Sequence, residues 1–147
     1  MVMDLSDNFE ILDHPSDIGI RAAAETLERL FEICAAGMFS VMCRLENVIP
    51  DIKKEIRVYE KYVMEPEEML IGWLDKLLYI HEVEKILFRY FHIIKLNPNG
   101  LIAEASGQKI DPAKHELFVS IKAPTYHMLE VKKDEKKRWS AQVIFDV

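Results

Sequence analysis

A chain of 147 residues, half of them apolar, has the size of one globular domain and enough apolar side chains for one ordinary core. Its formal net charge of −6 argues against tight, unaided binding to nucleic acid, an affinity that comes mainly from lysines and arginines displacing counterions from phosphates. No run approaches the roughly 18 uninterrupted apolar residues of a membrane span, and the start, Met1–Asn8, carries acids where a secretory signal has bases; the expectation is one soluble, cytoplasmic domain over 1–147, with 1–8 as a flexible extension.

Phe9 to His14 reads as a short strand and Ile18 to Ala24 as a second, separated by a bend made of Pro15, Ser16 and Gly19. At Leu27 the period changes. Leu27, Leu30, Phe31, Cys34, Met38, Val41 and Met42 recur at steps of three and four, one stripe of a helix for which Thr26 serves as N-cap. Arg29 occupies the place of the usual acid, so the capping box is incomplete. Ile56, Val58 and Tyr62 then alternate along a strand that runs to about Val63. In a second helix Pro66 suits the first turn, and Glu65, Glu67 and Glu68 complement the positive end of the dipole. Met69, Leu70, Trp73, Leu74, Leu77 and Leu78 form its buried face.

After His81 to Lys85 the rest of the chain reads as strands joined by turns. Ile86–Leu96 meets Leu101–Ile110 across Asn97, Pro98, Asn99 and Gly100, where Asn-Gly accommodates the positive φ of a tight hairpin. Leu117, Val119, Ile121 and Ala123 alternate, as do Trp139, Ala141, Val143 and Phe145. Lys132, Lys133, Lys136, Lys137 and Arg138, interrupted by Asp134 and Glu135, read as a solvated hairpin tip rather than a contact patch. Two helices among about eight strands, with no regular strand–helix rhythm, predict an α+β fold with a largely antiparallel sheet.

The chemical groups exclude more than they assign. The five glycines are scattered singly, so no phosphate-binding loop is present. No serine sits in a nucleophile elbow and no two histidines fall at helical metal-ligand spacing. Cys34 and Cys43, nine positions apart in an apolar stretch, read as buried thiols in a reducing compartment. His92 and His115 are expected to be structural. His14 and His127 stand out because each lies beside a bend in a polar run, although either residue also suits the fastening of a loop. At the carboxyl end, Asp146 and the α-carboxylate of Val147 crowd together, the oxygen chemistry that calcium or magnesium takes; the plain alternative is a solvated terminus.

These same places carry a resemblance to the archease family. His14-Pro15-Ser16-Asp17-Ile18-Gly19-Ile20 resembles its His-Thr-Ala-Asp-Ile/Val-Gly signature, and Thr26-Leu27-Glu28 through Gly37-Met38-Phe39 resembles the helix that follows. Leu74 to His81 with Glu84 resembles its Leu-Leu-Tyr-Leu-His segment. Lys122-Ala123-Pro124-Thr125-Tyr126-His127 resembles its Lys-Ala-hydrophobic-Thr-Tyr-His motif, and Val143-Ile144-Phe145-Asp146-Val147 its ending. Pro15 and Ser16 depart from the usual Thr-Ala, and Pro124 from an aliphatic residue; Pro124 removes a backbone donor and predicts a strand end or bulge.

The resemblance implies two helices packed on a largely antiparallel sheet with a strand-helix-strand-strand unit. It implies a non-catalytic protein that activates an RtcB-type tRNA-splicing RNA ligase, promoting its guanylylation and multiple turnover and broadening its nucleotide choice. By carry-over, Asp17, Asp146 and Val147 are the metal group, for a divalent ion such as calcium. Lys122 is the neighbouring activating residue, with His14 and His127 beside it in the partner-binding set. A chaperone-like module for RNA-modifying proteins, such as a tRNA methyltransferase, is the alternative from another class. An independent metal-dependent enzyme is least favoured, since no activated nucleophile is present.

Overall fold

A computed structural model describes residues 9–14 and 17–147. Pro15, Ser16 and the expected extension 1–8 lie outside the described residues.

The elements follow in the order β1 (Phe9–His14), β2 (Asp17–Ala24), α1 (Leu27–Met42), a 3₁₀ turn (Leu45–Asn47), β3 (Ile52–Tyr59), α2 (Pro66–Glu84), β4 (Ile86–Asn97), β5 (Gly100–Lys109), β6 (Ala123–Lys133) and β7 (Trp139–Asp146). The strands form two antiparallel sheets, one ordered β1-β2-β7-β6 and the other β3-β5-β4. The expected α+β class is found, with the strands divided between two sheets where one was expected.

α1 explains the division. Thr26 caps it, its Oγ1 accepting the Arg29 N–H at 3.1 Å. The helix is then buried on nearly every side, beyond the single stripe that the periodicity marks. It packs against β2 and β7 of one sheet and β4 of the other, so both sheets share its core. Glu32, on its otherwise apolar surface, accepts the Ile93 N–H at 2.9 Å and is met by Arg29 at 3.3 Å. The β4–β5 register slips between Ile93 and Lys95, beside the strand N–H that this carboxylate satisfies.

α2 closes the open side. Met69, Leu70, Trp73, Leu74, Leu77 and Leu78 are buried as the period predicts. Trp73 Nε1 donates to the Phe31 carbonyl at 2.9 Å, tying the helices together within a cluster of Phe39, Phe88 and Phe91. The helix runs through His81 to Glu84 and ends on Lys85, at φ 57°, and the strands begin after it as the sequence suggests. The His81 ring N–H donates to the Ile86 carbonyl at 2.8 Å.

Several expectations need correction. Gly19 is not in a bend; it is a buried residue of β2, and a Cβ there would lie 2.7 Å from Ile144 Cδ1 and from the Val143 carbonyl oxygen. The β4–β5 turn is Pro98-Asn99, closed by the Asn99 N–H on Asn97 Oδ1 at 3.0 Å, and neither Asn99 nor Gly100 has positive φ. Gly100 is required for close approach instead: a Cβ there would lie 2.7 Å from the Val58 carbonyl oxygen. β3 stops at Tyr59, leaving Tyr62 and Val63 exposed in a loop. Among the described residues the Leu117–Ala123 run joins no ladder until Ala123, apart from one bridge to Cys43 beside which the Phe118 N–H donates to the Met42 carbonyl at 2.8 Å. The basic cluster does form an exposed hairpin tip, with Asp134 accepting the N–H groups of Lys136 and Arg138. Both cysteines are buried and free, and burial pushes the Cys34 and Cys43 thiols up to about 12 and about 11.

Candidate functional site

The site candidate lies at one end of the four-stranded sheet. The β2–β7 register ends on the pair Ile18–Phe145, and the next step of that register would set Asp17 opposite Asp146. On the other side of β7, Ala123 pairs with Asp146, and the Lys122 N–H donates to the Asp146 carbonyl at 2.8 Å. Asp17, more than a hundred residues away in sequence, is therefore gathered with Lys122, Asp146 and Val147. In β1, His14 pairs with Asp17.

Alternation decides which face the acids occupy. Ile20, Val143 and Phe145 point into the core, so Asp17 and Asp146 lie together on the opposite face of the sheet. On that face Ile144 lies across Gly19 and is itself buried. Directly paired side chains have Cβ atoms about 4.5–5.5 Å apart, close enough for two carboxylates to repel or to share a cation. Asp17 Oδ1 is shielded from solvent and has no hydrogen-bond partner among the described residues. A carboxylate oxygen held away from water without a donor is unfavourable, and a hard cation relieves it.

The donor set thus fits an oxygen-seeking divalent ion, within a limit. Among the described residues no three His, Cys, Asp or Glu side chains converge as a metal-holding group. Two side-chain carboxylates, Asp17 and Asp146, are available there among the described residues, with Val147 next to Asp146. Asp146 and Val147 are both exposed, which leaves coordination positions for water or for a group on another molecule.

Lys122 is exposed and forms no ion pair among the described residues. Pro124 pairs with Phe145 within β6, an edge strand that tolerates its missing donor, and the register slips between Thr125 and Glu130. Thr125 Oγ1 donates to the Ile144 carbonyl at 2.8 Å before the slip, and Met128 inside it has φ 54°. His127 falls in that irregular stretch, exposed, and among the described residues has no register partner to bring it beside Asp146. The histidines expected to be structural differ. His115 is buried, Nδ1 accepting the Asp111 N–H at 2.9 Å and Nε2 facing the Asn47 carbonyl at 3.0 Å, whereas His92 is exposed.

Lys122 also borders a groove of about 1010 Å³ between β3, α2 and residues 120–122, with Arg57, Tyr59, Lys76, Tyr79 and Val83 along it. These residues carry no motif. The signal available in the sequence was Tyr79 and Val83, four apart on α2 and outside its buried stripe.

Residues 9–147 match the model of the Archease protein family. The chain is 38% identical over 142 residues to the protein archease of Pyrococcus abyssi, covering 95% of this chain and 98% of that one. The Thermococcus kodakarensis protein archease is 36% identical over the same coverage. Among solved structures, that of Methanobacterium thermoautotrophicum protein 1598 superposes with a TM-score of 0.77 at 33% identity, covering 95% of this chain and 99% of that one. An archease of Thermotoga maritima, designated a possible chaperone, shares the fold with a TM-score of 0.56 at 21% identity, covering 94% and 96%.

Proposed function

Because the chain belongs to the archease family, we propose that it is a non-catalytic accessory protein that activates an RtcB-type tRNA-splicing RNA ligase. On this reading it promotes guanylylation of the ligase and its multiple turnover, and broadens the ligase's nucleotide choice. The observation that carries it is the approach of Asp17 to Asp146, with Asp17 Oδ1 lacking a partner among the described residues, beside the exposed Lys122.

The two aspartates and the Val147 carboxylate are the residues that would hold a divalent ion such as calcium. Bound there, the ion supplies positive charge for phosphate oxygens at a partner's phosphoryl-transfer centre. Lys122 is not a ligand; its ammonium meets a phosphate or orients a carboxylate on the partner. His14 and His127 join the partner-facing set. RNA is reached only through the ligase, in keeping with the net charge of −6, and the working compartment is the cytoplasm.

The test is RNA ligation by the cognate ligase at single and at multiple turnover, with and without this protein. Sub-stoichiometric protein should raise turnover, while the isolated chain neither hydrolyses GTP nor joins RNA. A second reading, a chaperone-like module for RNA-modifying proteins such as a tRNA methyltransferase, draws on the exposed Tyr59, Tyr79 and Val83 of the groove. It predicts protection of clients from aggregation without any gain in ligase turnover.

A further inference from the structure

β3 is an edge strand, and the direction of its free hydrogen-bonding groups can be worked out. Its register with β5 runs from Ile52–Gly107 to Tyr59–Gly100, and the next pair is bonded, the Glu60 N–H donating to the Asn99 carbonyl at 3.2 Å. Bonded and non-bonded pairs alternate in an antiparallel ladder. Even-numbered β3 residues therefore bond to β5, in agreement with the Val58 carbonyl lying against Gly100. The N–H and C=O groups of Arg57 and Tyr59 point the other way, along the groove.

The groove has the features of a strand-binding cleft. Its floor is the outer face of α2, where Tyr79 and Val83 are each more than half exposed. Lys76 and Lys122 form no ion pair among the described residues, whereas Arg57 is held by Glu55 at 2.7 Å and by the Tyr59 hydroxyl at 2.6 Å. At about 1010 Å³ and open along its length, it is at the upper end of the range for small-molecule sites, roughly 300–1,000 Å³. Asp75 and Glu82 also line it, which disfavours a polyanion such as RNA. A second copy of the chain would bring its own charge of −6.

We infer that the groove receives an extended segment of the partner protein, which adds to β3 as a further strand and sets an acidic side chain within reach of Lys76 and Lys122. The backbone groups of Arg57 and Tyr59 supply the ladder bonds, and Tyr79 and Val83 receive the segment's apolar side chains. This occupant rests on the partner-dependent reading above, and the groove begins at Lys122, so the added strand would hold the partner beside the carboxylate pair.

Hydrogen exchange of the full chain, alone and with the cognate RtcB-type ligase, tests this. The Arg57 and Tyr59 amides should exchange at least tenfold more slowly in the complex. Tyr59→Pro removes an outward donor at a position where an edge strand tolerates proline, and Lys76→Glu reverses one cation; each should weaken ligase binding tenfold or more with the melting temperature kept. The inference is overturned if the ligase binds and is activated while both amides stay unprotected, or if both folded variants bind within twofold of the parent. Protection of these amides by self-association without ligase would assign the edge to a second copy and overturn it too. If the parent chain and ligase form no complex at all, the partner-dependent reading itself fails, and this occupant with it.

Discussion

Asp146→Asn should change stability in opposite directions with and without calcium. The β2–β7 register, carried one step past its Ile18–Phe145 pair, sets Asp146 opposite Asp17, and like charges at directly paired positions cost up to about 1 kcal/mol. Neutralising one in metal-free protein should therefore raise stability by up to that amount, about 2–4 °C in melting temperature for a chain of this size. Calcium at a hundred times its dissociation constant should stabilise the parent by about 2.7 kcal/mol, roughly 5–10 °C, and leave the variant nearly unmoved. The order of the melting curves thus reverses: variant above parent in chelator, parent above variant in calcium. Thermal denaturation followed by circular dichroism, with calorimetric titration of the metal, reads both halves. A folded variant with the parent's full calcium shift would refute the shared-ion reasoning, and a variant less stable than the parent in chelator would refute the repulsion on which the magnitude rests.

Lys122→Ala should leave the fold and the calcium-induced shift intact, since a cation is not a ligand, while multiple-turnover ligation falls; equal loss of both would make Lys122 part of the ion's coordination geometry. In Gly107→Ala the new methyl group would run into the rigid Leu87 carbonyl of β4, so the cost should approach about 3 kcal/mol and lower the melting temperature by roughly 6–12 °C; a shift under 2 °C would mean that the β4–β5 ladder gives way easily. The Cys34 and Cys43 thiols, held up to about 12 and about 11, stay neutral in the fold above the pH near 9 where they ionise in the unfolded chain. Their contribution to stability is therefore full below pH 9 and is lost as pH rises towards the folded values, and at pH 8 a thiol-reactive dye should label neither until denaturant is added. Rapid native labelling of either would contradict that burial.

The readable parts of this fold were those specified by neighbours in sequence. α1 announced itself through the Leu30–Cys34–Met38 stripe and its Thr26 cap, α2 through Pro66 and the Met69–Leu78 face, and the basic hairpin tip through its flanking alternation. Pairing across distance was not readable. Alternation from Leu117 to Ala123 suggested a paired strand, yet of this run Ile121 is buried, Val119 partly so and Leu117 half exposed, and the Phe118 N–H bonds to the end of α1. The split into two sheets follows from α1 burying nearly its whole surface, which a stripe of apolar residues does not reveal. The candidate site came from motif resemblance, and the sheet order explains how Asp17 and Asp146 can meet. The groove carried only a faint mark, two apolar side chains on the wrong face of α2.

The order β1-β2-β7-β6 also dictates a schedule for the nascent chain. The inner edge of β2 has to wait for a partner 121 residues downstream, the separation of Arg21 from Gln142. At synthesis rates of about 5–20 residues per second that is roughly 6–24 s during which Ile18–Ala24, largely apolar and with a bare edge, is exposed to other growing chains. Slower translation lengthens this interval in proportion, so the yield of native protein should depend on elongation rate more steeply than its final stability would suggest.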